Sequence, residues 1–577
     1  MPWSWRWVKI PFQFRNAAHG LALLLTIFAG VGIVSAQAPM AARIEHAGNE
    51  PQNWLTYYGN YGAWSYTPLN QITRQNVKQI VPVWAFPAGY PTHPSLKAGL
   101  EAAPLVVDGV LYLVGMQNNV YAADAATGKL LWTYTHPWPD KPVPGIKGAR
   151  GLAIGDGLVY MASQDDHIIA LDAKTGKVTW DAATDDVFKC ICTVTSAPLY
   201  VKGKVVTGVA GGDGPFRGYI KALDAKTGKL LWNFYTIPEP GEPGSETWIG
   251  DSWKTGGVAT WLQGSYDPEL NLIYWGTGNA YPDLVGEGRQ GSNLYAASLI
   301  ALDADTGKLK WHYQETPHDV YDFDSNMEPV LFDAALGGRT RKLVLHSSKN
   351  GYAYLLDRET GKFIHAFPFA DTVNWSKGLD DEGQPIEALI PSDATLDRLT
   401  CPGVAGARNF NHSAYSPRTG WWYTSSTELC SRITPPKNPA GDQNLRAGRQ
   451  LNPDSPPHIS AFDPLTGKKQ WEFVTKYFNQ SSLLVTAGDL IFGGDLEGDA
   501  FALDARTGKK LWSFNTGARI VSPPVSYSVN GRQFVAIATG GGAIIDTQIP
   551  NYWPETRDRL PQAAATLFVF ALPEKND

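Results

Sequence analysis

The stretch ALDAKTGKLLW, residues 222–232, returns along the chain in recognisable form. It reads AADAATGKLLW at 122–132, ALDAKTGKVTW at 170–180, ALDADTGKLKW at 301–311 and LLDRETGKFIH at 355–365. AFDPLTGKKQW at 461–471 and ALDARTGKKLW at 502–512 follow, and AYSPRTGWWY at 414–423 is a weaker eighth copy. An apolar strand ends at Asp, a tight turn closes on Thr-Gly, and a second strand opens with Lys and ends on Trp. Asp caps such a turn through its own side chain, and Gly supplies the positive φ the turn requires. A Trp at constant offset can dock at an equivalent place between neighbouring sheets each time.

Upstream of these copies, PLVVDGVLYLVG (104–115) and PLYVKGKVVTGVA (198–210) alternate around D-G and K-G turns, a hairpin signature. Hairpin repeats spaced roughly 40 to 80 residues apart point to propeller blades. The expected fold is all-β, an eight-bladed β-propeller, and the repeat overrides the three or four domains that length alone suggests. ATLFVFALP (565–573) has no partner after it, so it is expected to pair near the N-terminus and close the ring. The long inserts between copies are expected to be loops carrying the site.

The chain has 577 residues, 43% hydrophobic and 18% charged, with a formal charge of −6 and no long basic run, which argues against a nucleic-acid surface. Arg6, Lys9 and Arg15 precede the 14-residue apolar run LALLLTIFAGVGIV, and Ala36-Gln37-Ala38 follows in a small-x-small pattern. Residues 1–38 therefore read as a cleaved signal peptide, and 39–577 as one mature domain in the periplasm. The apolar run is shorter than the roughly 20 residues needed to span a bilayer, so no stable membrane insertion is expected. Cleavage removes three of the 49 basic residues and no acidic one, leaving 46 against 55, a formal charge of −9. Four cysteines remain, Cys190, Cys192, Cys401 and Cys430, and an even count in an exported chain permits disulfides. There is no C-x-x-C-H for covalent haem, so electrons from any redox reaction must leave for another protein.

PHDVYDFD, residues 317–324, crowds three aspartates together, with Asp322 and Asp324 separated only by Phe323. Carboxylates this close repel unless something positive lies between them.

At this point the sequence resembles a known family, the pyrroloquinoline quinone (PQQ) dependent alcohol dehydrogenases of the methanol and ethanol dehydrogenase type. The similarity runs from NWLTYYGNYGAWSYTPLNQI (53–72) to the C-terminus, and is sharpest at YDPELNLIYWGTGN (266–279) and QETPHDVYDFD (314–324). It implies oxidation of an alcohol to an aldehyde by hydride transfer to metal-bound PQQ, with Asp322 as base and a soluble cytochrome c as electron acceptor. PQQ carries three carboxylates and needs a hard cation with oxygen ligands, basic residues around its oxygens and a flat apolar wall.

Carried over position by position, the resemblance gives Asp213, Asn279, Asp322 and Asp324 as metal ligands. It gives Glu101, Arg150, Thr195, Gly211, Gly212, Trp261, Lys349 and Asn409 as cofactor contacts. Trp261 is expected flat against the quinone, Arg150 on a carboxylate, and Lys349 on the quinone oxygens. A carboxylate at the position of Asp324 marks the lanthanide-using members, so one lanthanide ion is expected. The alternative is calcium with Asp324 turned to solvent.

The pattern also breaks. Asp213 stands where the family usually has a longer glutamate. PVPGIKGARG (142–151) lacks the adjacent cysteine pair that covers one face of PQQ in most members. Cys190 and Cys192 lie just before Thr195, either bridged or as two separate thiols. Cys401 and Cys430 match a family disulfide that encloses Asn409. Gln480, Ala259 and Phe410 replace a tryptophan, a threonine and a tryptophan found in relatives, which leaves the alcohol open. A sugar or polyol dehydrogenase and a non-catalytic propeller scaffold are the rival readings, and a homodimer is one option for the assembly.

Overall fold

The computed structural model describes residues 38–89, 100–144, 148–388, 397–434, 446–541, 549–559 and 565–574. The signal-peptide reading of 1–38 falls almost wholly outside them. Pro39–Asp577 forms one compact unit. The described residues hold seven four-stranded sheets, one of five strands and one of three, with only short helical turns between them. The architecture is an all-β propeller.

Most sheets are simple antiparallel meanders. Leu199–Val201, Lys204–Thr207, Tyr219–Asp224 and Leu230–Tyr235 pair in that order, and the repeat quoted above is the turn between the third and fourth strands. In the 170–180 copy Asp172 Oδ1 accepts from Lys174 N (3.1 Å) and from Thr175 N and Oγ1 (2.8 Å each), while Gly176 sits at φ +70°.

The tryptophans dock forward onto the next sheet. Trp132 Nε1 donates to Ala173 O and Trp180 Nε1 to Ala225 O, both at 3.0 Å, and Trp311 Nε1 reaches Arg358 O at 3.2 Å. A Cβ built on Gly176 would lie 2.4 Å from the Trp132 ring, so the turn glycine also makes room for its neighbour's indole. Where the fifth copy has His365, its Nε2 meets Pro464 O (3.1 Å) and Phe367 covers Gly467.

Two expectations resolve in detail. Thr566–Ala571 pairs on one side with Arg532–Thr539 and on the other with Val81–Pro87, so the N-terminal part supplies the outer strand of the last sheet. That sheet needs no Thr-Gly turn, and Trp512 packs on Phe570 instead (5.2 Å). The eighth copy, 414–423, is corrected. It joins Ala414–Ser416 to Trp421–Ser426, the first and second strands of their sheet, whereas the other copies join the last two strands of theirs. A tight turn satisfies the same local chemistry in either place, which is why the weaker match looked equivalent.

Candidate active site

In an antiparallel meander the entry to the first strand and the link between second and third strands lie at one end, opposite the Thr-Gly turns. All twelve residues proposed from sequence sit at that end. Glu101, Arg150, Thr195, Trp261, Asp322, Asp324 and Asn409 precede first strands, and Gly211, Gly212, Asp213, Asn279 and Lys349 follow second strands. They all line one cavity of about 290 Å3, with Ala210, Val404, Ala405, Phe410 and Arg449. That volume is at the lower end of small-molecule pockets, roughly 300–1,000 Å3.

At one side the carboxylates gather. Phe323 is fully buried against Tyr321 (5.1 Å) and Trp375 (5.4 Å), and Asp319 accepts from the backbone N–H of Tyr321 and of Phe323 at 3.0 Å each. This anchored loop leaves Asp322 at φ +62°, an uncommon backbone for a non-glycine residue. The charge between the two aspartates is Lys349, whose Nζ lies 2.6 Å from Asp324 Oδ2 and 3.1 Å from Asp322 Oδ1. Burial alone would lower the Lys349 pKa, but Asp322 and Asp324 overcome it and hold the ammonium charged.

Asp324 Oδ1 accepts from Asn279 N (3.0 Å). The Asn279 side-chain nitrogen donates to Asp283 Oδ1 (2.9 Å), which turns Asn279 Oδ1 toward Gly212, where a Cβ would approach within 2.9 Å. The missing side chain on Gly212 leaves room for the amide in this position.

One ammonium does not balance the acids around it. Burial first, and then Asp213, Asp324 and Asp283, push the Asp322 carboxyl well above its ordinary range against the opposing pull of Lys349. Asp213 is likewise raised, by burial and by Asp324. Asp283 is pushed up to about 8 by burial, Asp213 and Asp324. Three carboxyls and an amide oxygen converging on a cavity, with Asp283 behind the amide, form the donor set of a hard multivalent cation, so the residues fit the metal.

At the other side Arg150 Nη2 pairs with Glu101 Oε2 (3.2 Å), its Nη1 donates to Thr195 Oγ1 (2.7 Å), and its guanidinium lies 5.4 Å from both the Trp261 and Phe410 rings. An aromatic wall, a fixed guanidinium and a hydroxyl suit a flat polyanion, so the residues fit PQQ as well. Asn409 Nδ2 donates to Ala405 O (3.3 Å) and its Oδ1 accepts from Phe410 N (2.9 Å).

Both cysteine pairs are disulfides, Cys190–Cys192 and Cys401–Cys430. The first packs on the cavity wall, since a Cβ on Gly211 would lie 3.2 Å from Cys192 Cα. Gln480 lies outside the lining, buried, with both amide atoms unpartnered among the described residues.

Sequence reasoning missed Asp283 and Arg449. A carboxylate four residues past a ligand asparagine, with Pro282 turning the chain back between them, is a usable signal for Asp283. Arg449 comes from the strand Arg446–Leu451 of the small inserted sheet, which no repeat marks.

The family model "Glucose/ethanol/alcohol dehydrogenase, beta-propeller domain" of the PQQ group matches residues 54–370 and 474–535. The chain is 36% identical to the quinoprotein alcohol dehydrogenase PedH of Pseudomonas putida, across 97% of this chain and 98% of that protein. It is also 36% identical to the quinohemoprotein alcohol dehydrogenase of Comamonas testosteroni, covering 91% of this chain and 76% of that one. Its fold superposes on a europium-containing methanol dehydrogenase with a TM-score of 0.84, 31% identity, 92% of this chain and 100% of the other.

Proposed function

Because the chain belongs to the PQQ-dependent alcohol dehydrogenase family, we propose that it oxidises an alcohol to an aldehyde in the periplasm with PQQ and a lanthanide ion, passing electrons to a cytochrome c. The observation that carries this reading is the convergence of Asp213, Asn279, Asp322 and Asp324 with Lys349 on one cavity that also holds Arg150, Thr195 and Trp261. In the same reading 1–38 is removed on export, 39–577 is the enzyme, and each of the eight larger sheets is one blade.

Asp213, Asn279 Oδ1, Asp322 and Asp324 would hold the cation; Arg150, Glu101, Thr195 and Asn409 would hold PQQ, with Trp261 against its ring and Gly211 and Gly212 admitting it closely. When bound, PQQ supplies an electrophilic quinone carbonyl that takes up two electrons as hydride. Asp322 would accept the alcohol hydroxyl proton. A bound cation offsets the crowding that raises Asp322, so the residue acts as a carboxylate base. Lys349 keeps its charge beside the reacting centre and stabilises negative charge developing there. Asp283 holds the amide of Asn279 so that its oxygen faces inward, as outer ligands orient inner ones. Asp324 adds the carboxylate that favours a trivalent ion over calcium, a preference also suggested by the europium-containing methanol dehydrogenase superposed above.

The test is dye-linked alcohol oxidation by purified apoprotein with added PQQ, comparing lanthanum, calcium and no metal. Turnover with lanthanum and none with calcium is expected. Turnover with calcium alone would keep the dehydrogenase and remove the lanthanide assignment. Failure of PQQ to bind with any metal would leave a scaffold.

A further inference from the structure

Beside the cavity, outside the set of residues just assigned, the Cys190–Cys192 disulfide is held against a buried acid. Asp166 Oδ2 lies 3.1 Å from Cys192 Sγ and 3.4 Å from Cys190 Sγ, and Asp166 Oδ1 has no hydrogen-bond partner among the described residues. A disulfide sulfur has no hydrogen to donate, so a favourable contact at these distances requires the proton to sit on Asp166. Asp166 is fully buried, and its backbone is itself in the left-handed region at φ +68°. The surrounding charges agree. Burial and Asp185, with Asp165 and Asp186 adding to them and Lys221 opposing, push the Asp166 carboxyl up to about 8.

The two sulfurs are not equivalent. Cys190 ends the short helix Val187–Cys190 and is partly exposed, next to Ile191, which is 54% exposed. Cys192 is buried, and its backbone N–H donates to Cys190 Sγ (3.1 Å). An incoming thiolate therefore meets Cys190, Cys192 is the leaving sulfur, and an acid already touches it.

We propose that Cys190–Cys192 is a thiol–disulfide exchange site, opened by an external dithiol at Cys190 with Asp166 as proton donor to Cys192. The dithiol's thiolate attacks Cys190 Sγ, the Cys190–Cys192 bond breaks, and Cys192 leaves with the proton of Asp166. The second thiolate of the reductant then attacks its own sulfur in the mixed disulfide and releases Cys190, whose thiolate accepts the Cys192 N–H before taking a proton from water. The dithiol ends as a disulfide, two electrons have moved to the cysteines, and Asp166 regains its proton from solvent. Because Cys192 packs on Gly211, opening the bond loosens that part of the cavity wall. This coupling, unlike the exchange, rests on the cofactor reading above.

The exchange is tested on the whole chain by timed reduction with dithiothreitol, thiol alkylation and peptide mass spectrometry, with the buried Cys401–Cys430 bond as internal reference. Cys190–Cys192 is expected to open at least tenfold faster than the reference. Its rate per reductant thiolate should fall as pH rises through about 8. Asp166→Asn should slow opening by about 10²-fold, the lower range for general-acid assistance, and remove that pH inflection. Equal resistance of the two bonds overturns the proposal, as does an Asp166→Asn protein with the wild-type rate and profile. If Asp166→Asn does not fold, the wild-type pH profile decides, and a flat one overturns it. PQQ binding to the reduced protein and to the Cys190→Ser/Cys192→Ser variant, read by quenching of tryptophan fluorescence, then reports the coupling. Weakened binding in both supports the coupling to Gly211 and unchanged binding removes it, while failure of PQQ to bind the oxidised wild type counts against the functional reading alone.

Discussion

Aspartate serves opposite ends of these sheets in opposite ways. In the Thr-Gly turns, Asp172 and Asp224 each gather a threonine hydroxyl and backbone N–H groups, and those donors hold their carboxyls below the ordinary range. At the other end, burial and neighbouring acids push Asp213, Asp283 and Asp322 upward. The turns are locally satisfied and recur; the acidic cluster is assembled once, from segments far apart, and is unsatisfied by protein alone. A folded chain tolerates such conflict where a ligand resolves it.

The largest effect should come from the conflicted end. Asp322→Asn is expected to lower kcat by about 10²–10⁴-fold, the usual range for loss of a general base, with PQQ still binding by absorbance titration; near-normal turnover would break the assignment of Asp322. Asp324→Ala should weaken lanthanum binding about 10- to 100-fold while leaving calcium binding within about twofold on the same principle that charge selects the trivalent ion. Equal losses for both ions, measured by competition titration, would mean Asp324 does not discriminate. Asp283→Ala should cost roughly tenfold in metal affinity, and Asp283→Asn, which can still accept from the Asn279 amide, should recover part of it.

The two populations of aspartate also separate by pH. The raised carboxyls keep protons that an unfolded chain, with aspartates near about 3.9, has released. The apoprotein should therefore lose stability as pH rises from about 4 towards 8, the upper limit set by Asp283. Lanthanum should remove the cluster's share of this slope by stabilising its ionised forms, leaving the share from Asp166, whose raised carboxyl lies outside the cluster. The depressed turn aspartates act in the other window, losing their contribution as pH falls below their unfolded value. An apoprotein melting temperature that stays flat or rises between pH 4 and 8 would show that the cluster is relaxed without metal. Smallest of all, Asp224→Ala removes one turn cap, worth about 1 kcal/mol, and should lower Tm by no more than about 2 °C without touching turnover.

The repeats were legible because each turn must meet the same demands within eleven residues, so the chemistry is written in contiguous sequence. That twelve scattered residues belong together came from family motifs, not from any local rule, and they do line one cavity: nothing in GGDG or SSKNG by itself places Asp213 near Lys349. Asp283 escaped because its role appears only once the chain folds back on Asn279, and Arg449 because it arrives on an inserted sheet. The 414–423 turn misled because local satisfaction does not say which pair of strands it joins. The Cys190–Cys192 bond stayed open in sequence, since spacing alone does not decide whether two sulfurs meet.

The closing sheet has a kinetic side. Val81–Pro87 and Thr566–Ala571 are hydrogen-bonded neighbours though nearly five hundred residues separate them along the chain. A sheet made from such distant pieces is an extreme long-range contact, and long-range contacts form late because a large loop must close first. A chain threaded from one end presents an open ring with two exposed strand edges until its last strand arrives. That interval is when association with another unfinished copy competes with closure. Yield on refolding should therefore depend on protein concentration and temperature far more than the finished ring's stability would suggest.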